Sequence, residues 1–227
     1  MKDPILDNIK TISIIGGTGK EGKGLAYRWA KAGYQIIIGS RSNEKAETAA
    51  AAVRELLDGV GVVVGKENAA AAQEGDIVVL TVPFAAHVSM LEYLKPYLQG
   101  KTLIDVTVPL VPPKVTRVQM PPAGSAGLEA QQVLGEGVAV VTAFQNISYE
   151  NLLEGEDVDC DILVCGSSKE ARETVLALVK EAGLIGWDAG PLENSVVVEG
   201  LTSILIGINK RYGVTSSGIR ITGVPLK

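Results

Sequence analysis

The sequence predicts an α/β fold: a doubly wound, mostly parallel sheet covered by helices on both faces, with a small helical extension at the C-terminus. Short runs rich in Val, Ile and Leu alternate with segments of helical periodicity along the 227 residues. These runs are apolar throughout, which is typical of strands that are buried on both faces of a parallel sheet. Hydrophobic residues make up 46% and charged residues 21%, so the chain can bury the core that such a sheet needs.

The first strand and the first helix set the pattern for the elements that follow. The β-branched run TISII at residues 11–15 predicts a buried strand. Apolar Leu25 and Trp29 recur at helical spacing and Gly33 is a typical helix terminator, so a helix is expected over residues 20–32. A strand followed directly by a helix is the repeating unit of a parallel sheet.

The same reasoning assigns the remaining elements. The Ala-rich segment 44–57 predicts a helix with Ser42 or Asn43 as its N-cap. Further strands are expected at residues 35–38, 61–64, 76–82, 101–106, 138–144, 161–164 and 184–188. Further helices are expected at residues 68–73, 87–94, 128–134, 169–182 and 194–211.

Two segments depart from this alternation. Between Val108 and Gly127 seven residues are Pro or Gly, which predicts a long irregular loop of the kind that often carries function. Residues 194–211 are apolar on nearly all sides, so we expect a helix that is buried in its own domain or in a subunit contact. Because dimers are the commonest assembly, this helix predicts a homodimer.

Composition excludes several classes of function. The net charge of −5 argues against a nucleic-acid partner, which normally requires a basic surplus. The apolar run at residues 195–208 contains Glu199 and is shorter than the roughly 20 residues that span a bilayer, so no membrane partner is expected. Residues 1–10 are polar and mixed in charge, unlike a secretory signal, and a cytoplasmic protein is therefore expected.

The scarcity of His and Cys limits the available chemistry. The chain has one His, His87, and two Cys, Cys160 and Cys165, which excludes a zinc site of several His and a Cys-rich metal site. A nucleophilic centre would have to be built around His87 alone. We therefore expect no metal and no catalytic side chain. We expect His87 to face solvent or to cap a helix, and the alternative for this residue is a catalytic role.

A glycine-rich turn joins the first strand to the first helix. Its sequence, IGGTGKEG at residues 15–22, contains G-x-G-x-x-G at Gly17, Gly19 and Gly22. In this position the glycines permit a tight turn, an approach of backbone N–H groups to a pyrophosphate, and close packing of the helix on the strand. The turn predicts a Rossmann-like dinucleotide site, and the alternative is a tight turn without a ligand.

The tip of the second strand indicates which dinucleotide is bound. An NAD site usually places an acid there to bind the ribose 2′-OH, whereas this strand ends in Gly39-Ser40-Arg41. Arg41 can pair with a 2′-phosphate, and Ser40 and Lys45 add a hydroxyl donor and a second charge. The sequence thus predicts NADP; the alternative is a solvated surface turn.

The fourth strand ends at Thr81-Val82-Pro83, at the edge of the sheet where ligands bind in such folds. Val82 and Pro83 are candidates for contact with the nicotinamide or its ribose. The alternative is that Pro83 only starts the next helix.

Several stretches in this order resemble the coenzyme F420-dependent NADP oxidoreductases, and the resemblance extends along the whole chain. The glycine motif is shared by many dehydrogenases, but the ordered set that ends in DAGPL is much more specific. The matching stretches are IIGGTGKEGKGLAYR at 14–28, IIIGSRSNEKA at 36–46, VLTVP at 79–83, VPLVP at 108–112, VCG at 164–166 and DAGPLENS at 188–195.

The resemblance implies an oxidoreductase that passes a hydride directly between nicotinamide C4 of NADP(H) and the deazaflavin ring of coenzyme F420. The cofactors carry that chemistry, and the protein supplies position and excludes water. The resemblance assigns Thr18, Gly19, Lys20 and Glu21 to the pyrophosphate, Ser40, Arg41 and Lys45 to the 2′-phosphate, Val82, Val108 and Ala143 to the nicotinamide side, and Ser217 to the deazaflavin.

On this interpretation residues 1–150 form the NADP-binding domain, and residues 151–227 continue the sheet and add the helical, dimerisation and F420-side region. Two departures from the family pattern fall where the second substrate belongs. Gln145 stands where the family has a His, and the loop around residues 109–127 has additional Pro and Gly. The alternatives left open are reduction of a flavin, metal chelate, imine or ketone, and a non-catalytic NADP sensor.

Overall fold

The computed structural model describes residues 3–153 and 158–225, which contain eight strands and eight α-helices. The strands are β1 (Thr11–Ile15), β2 (Gln35–Ser40), β3 (Val63–Glu67), β4 (Ile77–Leu80), β5 (Thr102–Asp105), β6 (Ala139–Thr142), β7 (Asp161–Gly166) and β8 (Ile185–Pro191). The helices are α1 (Lys20–Lys31), α2 (Asn43–Leu56), α3 (Asn68–Glu74), α4 (His87–Leu98), α5 (Ala126–Leu134), α6 (Tyr149–Leu153), α7 (Lys169–Glu181) and α8 (Ser195–Tyr212).

All eight strands form one sheet in the order β3-β2-β1-β4-β5-β6-β7-β8. Neighbouring strands are parallel except β6 and β7, which are antiparallel. The chain winds outward from β1 in one direction to β3 and in the other from β4, so the order reverses between β1 and β4. This confirms the Rossmann-like, doubly wound fold with a C-terminal helix, and it places the usual ligand crevice at the carboxyl ends of β1 and β4.

The core has two layers because the side chains of each strand alternate between the faces of the sheet. Ile14 of β1 packs in one cluster with Trp29 of α1 and Leu178 of α7. Trp29 also donates its indole N–H to the Leu178 carbonyl over 2.9 Å. Ile15 belongs to the cluster on the other face, together with Leu91 of α4. Helices therefore cover both faces, as the apolar strands predicted.

The strand ends differ from prediction where the hydrogen-bonded ladder stops. The strand predicted at 76–82 ends at Leu80, and the strand predicted at 138–144 ends at Thr142. Val82, Ala143 and Phe144 lie beyond these ends and are nevertheless buried, so hydrophobicity alone overestimates the length of the strands. The third strand was predicted at 61–64 but runs over Val63–Glu67, which displaces its end toward the crevice.

Helix α8 has one buried side and one exposed side. Val198 and Leu205 are buried, whereas Val197 and Ile204 are exposed. Within the described residues, other parts of the protein cover only the inner side of α8. The expectation of a helix covered on all sides is therefore met only in part. None of the described helices is long and apolar enough to cross a membrane.

Candidate functional site

The glycine turn is shaped by backbone contacts that leave no room for side chains at Gly17 and Gly22. A Cβ at Gly22 would lie 2.5 Å from the Gly17 Cα, and a Cβ at Gly17 would lie 2.7 Å from the Ile14 carbonyl oxygen. A Cβ at Gly19 meets only the Gly16 carbonyl oxygen, at 4.0 Å. Gly17 and Gly22 are thus required for packing α1 against β1, whereas Gly19 borders open space.

The first turn of α1 is the positive end of a helix. Gly19 is its N-cap and provides no side-chain hydrogen bond, and Thr18, Gly19 and Lys20 are exposed. Lys20 Nζ donates to the Tyr149 hydroxyl over 2.8 Å, so its charge is held to one side of the turn. This leaves a backbone surface that suits an anionic group.

The tip of β2 lies directly beside this turn, because the Gly17 N–H donates to the Gly39 carbonyl over 3.2 Å. Ser40 and Arg41 line a cavity of about 320 Å³ together with Glu67, Asn68, Ser89, Met90 and Tyr93. Lys45 is exposed on the first turn of α2 and is not among those lining residues. Ser42 caps α2 by accepting from the Lys45 N–H, which decides between the two predicted N-caps.

The end of β4 is joined to the end of β1. The Thr81 hydroxyl and N–H both donate to the Ile15 carbonyl, over 3.0 and 2.9 Å. Val82 then packs against the turn so closely that a Cβ at Gly16 would lie 2.7 Å from it. Pro83 is exposed and precedes the short 3₁₀ turn Phe84–Ala86, so it also starts a helical segment.

A second cavity, of about 440 Å³, lies between the start of α1, the ends of β5 and β6, helix α8 and the C-terminal segment. We call it the central cavity. Three predicted site residues, Glu21, Val108 and Ser217, line this cavity together. The other lining residues are Val106, Leu110, Phe144, Gln145, Asn146, Ile147, Ser148, Tyr149, Thr202, Leu205, Ile206, Asn209 and Thr215.

Ala143 and Val82 are not among the residues that line the central cavity. The side chain of Ala143 is fully buried in the core beside Phe144. Phe144 adopts a φ of 73°, a left-handed conformation that is uncommon for a bulky residue and that turns the chain sharply after β6. This turn brings Gln145 and Asn146 into the cavity wall.

The amides of Gln145 and Asn146 are fixed by their donor groups. Gln145 Nε2 donates to the Asp105 carbonyl over 2.8 Å, and Asn146 Nδ2 donates to the Val198 carbonyl over 2.9 Å. The amide oxygens of both residues are buried and have no hydrogen-bond partner in the described residues. The cavity wall therefore contains two anchored amides with free acceptor capacity.

Ser217 is held by the last turns of α8. Its N–H donates to Asn209 Oδ1 over 3.0 Å, and its hydroxyl donates to the Leu205 carbonyl over 3.2 Å. Thr215 donates to Glu150 over 2.7 Å. These bonds fold the C-terminal segment back over the cavity, toward the first turn of α1.

The sequence model of the family described as "NADP oxidoreductase coenzyme F420-dependent" matches residues 11–109. Over 223 residues the chain is 44% identical to the F420-dependent NADP reductase of Methanocaldococcus jannaschii, a match that covers 95% of this chain and 99% of the relative. The chain belongs to the F420-dependent NADP reductase family.

Two further relatives extend the comparison of this family member. It is 41% identical to the F420-dependent NADP reductase of Methanothermobacter thermautotrophicus over 96% of this chain and 97% of the relative. A crystal structure described as a putative F420-dependent NADP reductase from Arthrobacter superimposes with a TM-score of 0.77 at 23% identity, and it covers 94% of this chain and 99% of that one. At that identity the superposition supports the fold alone.

The structure of this family member corrects the expectation for His87. The side chain is fully buried, with Nε2 2.7 Å from Asp105 Oδ2 and Nδ1 3.1 Å from Glu129 Oε2. Burial lowers the pKa of His87, but the hydrogen bonds and charges of Asp105 and Glu129 outweigh it and raise the pKa above its ordinary value. His87 does not face solvent; its backbone N–H caps the short 3₁₀ turn Phe84–Ala86 by donating to the Phe84 carbonyl, and its side chain links α4 to β5 and α5.

Glu199 is a second buried ionisable group whose partners the sequence alone did not predict. Its carboxyl accepts from the backbone N–H groups of Ala126 and Gly127, over 2.7 and 3.0 Å, at the start of α5. Burial raises the pKa of Glu199 to about 8 despite those bonds. An acid inside an otherwise apolar helical run was the available signal, because such a residue needs a buried partner.

No group of three or more His, Cys, Asp or Glu side chains suited to a metal ion occurs within residues 3–153 and 158–225. The acidic and imidazole groups that do cluster, at His87, Asp105 and Glu129, are already engaged with one another. The two cysteines, Cys160 and Cys165, are buried and free. The candidate site of this family member is thus the crevice that connects the glycine turn to the central cavity.

Proposed function

We propose that this protein transfers a hydride between NADP(H) and coenzyme F420. Family membership supports this function, because the relatives with 44% and 41% identity are F420-dependent NADP reductases that match nearly the whole chain. The observation that carries the proposal is the central cavity, which Glu21 of the glycine turn, Val108 and Ser217 all line. The cavity offers space for the deazaflavin ring beside the glycine turn, to which we assign the dinucleotide.

The glycine turn fits the pyrophosphate of a dinucleotide. The open space at Gly19 and the exposed first turn of α1 suit close approach of an anion, and the contacts of Gly17 and Gly22 hold the turn in that shape. Thr18, Gly19 and Lys20 are the residues we assign to this group, together with the backbone of Glu21.

The tip of β2 fits the 2′-phosphate that distinguishes NADP from NAD. Arg41 provides a planar, permanently charged donor set and Ser40 adds a hydroxyl within the same cavity. Lys45 stands outside that lining, so we assign it a contribution to the local positive potential and not a direct contact. Glu67 also lines the cavity, and its negative charge would oppose a phosphate there. Binding of the 2′-phosphate therefore depends on Arg41.

The nicotinamide is assigned to the side of the crevice formed by Val82, Pro83 and Val108, and the deazaflavin to the side of Ser217. Ala143 is too deeply buried for direct contact and supports the wall through Phe144. When bound, the two cofactors supply the whole redox step, a hydride passing between nicotinamide C4 and the deazaflavin ring. The chain itself positions the rings and excludes water with apolar Val106, Val108 and Leu110.

We also propose that the chain acts as a cytoplasmic homodimer without a nucleic-acid partner. Two buried free thiols suit a reducing compartment, and the net negative charge disfavours nucleic acid. A second copy would cover the exposed apolar side of α8, which includes Val197 and Ile204. In this proposal residues 1–150 hold NADP, and residues 151–227 provide the F420 side and the subunit contact.

A direct test mixes the purified protein with NADPH and F420 and follows the loss of NADPH absorbance. The proposal expects turnover with F420, and turnover with free flavin but none with F420 would refute it. Binding of NADP without turnover of any acceptor would instead indicate a nucleotide sensor. The alternative acceptors named above, a metal chelate, an imine or a ketone, belong in the same assay as competing substrates.

A further inference from the structure

Glu21 has a feature that the glycine motif does not require. The motif needs Gly17, Gly19 and Gly22, and leaves this position free. Glu21 is one of the residues that line the central cavity, and its Oε1 is buried without a hydrogen-bond partner in the described residues. Because an unpartnered buried polar atom is costly, the absence of a partner points to a ligand atom.

Other buried carboxyl groups near the cavity have partners from the protein itself. Asp105 is bonded to His87 and accepts from the Thr107 N–H, and Glu199 accepts two backbone N–H groups. These groups hold strands and helices together. Glu21 makes no comparable contact, which separates it from the structural acids.

The surroundings of Glu21 hold no charged group that acts on its carboxyl. Tyr149 of α6 is the other titratable residue of the cavity wall, and its hydroxyl bonds to Lys20 and Glu150. Asp105, at the end of β5, is occupied by His87. Desolvation therefore governs Glu21, and it raises the pKa of this carboxyl to about 8.

We propose that Glu21 binds the dinucleotide as a neutral acid, donating a hydrogen bond to an acceptor oxygen of the nicotinamide-nucleotide half. The proposal rests on the proposed function, since it assumes that this half enters the cavity beside the glycine turn. A neutral carboxyl has a donor, whereas a carboxylate has only acceptors and cannot donate to that oxygen. Dinucleotide binding should therefore weaken as Glu21 ionises.

The test is isothermal titration calorimetry of NADP⁺ at about pH 7 and about pH 9, with the intact protein and the Glu21→Gln variant. In the unaltered protein the Kd for NADP⁺ should rise about tenfold over this interval, because the fraction of neutral Glu21 falls from about 0.9 to about 0.1. In Glu21→Gln, which remains neutral, the Kd should change less than about twofold. The matched control, Glu44→Gln on the exposed first turn of α2, should behave like the unaltered protein.

A second ligand separates this effect from ionisation elsewhere. The fragment 2′,5′-ADP lacks the nicotinamide-nucleotide half, so its Kd should be independent of Glu21 at both pH values. The proposal is overturned if Glu21→Gln and the unaltered protein show the same pH dependence for NADP⁺, or if 2′,5′-ADP responds equally. Failure to bind NADP⁺ at either pH would refute the proposed function as well, whereas binding without turnover of F420 would refute only that function.

Discussion

Nε2 of His87 lies 2.7 Å from Oδ2 of Asp105, and both side chains are completely buried. Asp105 is the last residue of β5, and its backbone carbonyl accepts from Gln145 in the wall of the central cavity. Glu129 approaches the other ring nitrogen of His87 from α5. One imidazole therefore fixes the end of the strand from which the cavity-lining residues Val106 and Val108 continue.

Replacing His87 with Gln should make stability lower and less dependent on pH. Because the folded-state pKa of His87 is raised, its contribution is complete below the unfolded pKa and is lost as pH rises through the folded pKa. The variant should lose about 3–5 kcal/mol of unfolding free energy in mildly acid buffer, as expected for a broken buried pair, and less at alkaline pH. Urea denaturation across that pH interval measures the difference.

Val88→Ala provides the control for this prediction, since Val88 is the exposed neighbour of His87 on α4. It should shift stability by less than about 1 kcal/mol, as expected for a substitution at the surface. A His87→Gln variant whose deficit grows with rising pH would contradict the assigned direction of the pKa shift.

Arg41→Glu should reverse the preference for NADPH over NADH without affecting the fold. Loss of the charge-assisted bonds to a 2′-phosphate and the introduced repulsion together correspond to about 2–4 kcal/mol, or a change of about 30- to 800-fold in relative kcat/KM. Steady-state kinetics with both nucleotides and F420 measure the ratio. Lys45→Glu is the matched control and should have a smaller effect, because Lys45 lies outside the cavity that Arg41 lines. Equal effects of the two substitutions would contradict that assignment.

Part of this structure could be predicted from the sequence alone. Local patterns were sufficient for the fold class, the glycine turn and the tip of β2, because each depends on residues that are adjacent in the chain. The central cavity depends instead on Glu21, Gln145 and Ser217, which come together only after the sheet has formed. The environment of His87 is equally non-local, since its two carboxylate partners lie on β5 and α5. Solvent exposure was the default expectation for an isolated polar residue, and tertiary packing reversed it.

Gly22→Ala and Gly19→Ala should separate the packing role of the turn from its binding role. A Cβ at Gly22 would lie 2.5 Å from the Gly17 Cα, so this variant should lose about 2–3 kcal/mol of unfolding free energy to strain. A Cβ at Gly19 meets open space, so Gly19→Ala should keep its stability within about 1 kcal/mol. Its Kd for NADP⁺ should nevertheless rise at least about tenfold, because the added methyl group obstructs the approach of the pyrophosphate to the backbone. Urea denaturation and calorimetric titration measure the two effects, and a stable Gly22→Ala variant would contradict the packing role.

Ser217→Leu should weaken the use of F420 while leaving NADP⁺ binding unchanged. The hydroxyl of Ser217 bonds to the Leu205 carbonyl inside the central cavity, and a Leu side chain would fill space that we assign to the deazaflavin. The KM for F420 should rise about tenfold, equivalent to about 1.4 kcal/mol of lost binding, with the Kd for NADP⁺ within about twofold of its original value. Ser216→Leu is the matched control, because Ser216 is exposed and is not among the cavity-lining residues. A parallel loss of NADP⁺ binding in Ser217→Leu would show that this part of the cavity belongs to the dinucleotide.

Ile204→Glu should convert the proposed homodimer to a monomer. Ile204 is 50% exposed on the outer side of α8, where a second copy would bury it, and a charge buried there without a partner would oppose association. Light scattering coupled to size exclusion should give the mass of two chains for the unaltered protein and of one chain for the variant. Val60→Glu places the same charge at a residue that is 72% exposed just after α2, far from α8 in sequence, and should leave the dimer intact. An unaltered protein with the mass of a single chain would contradict the dimer, and an effect of both substitutions would point to charge alone as the cause.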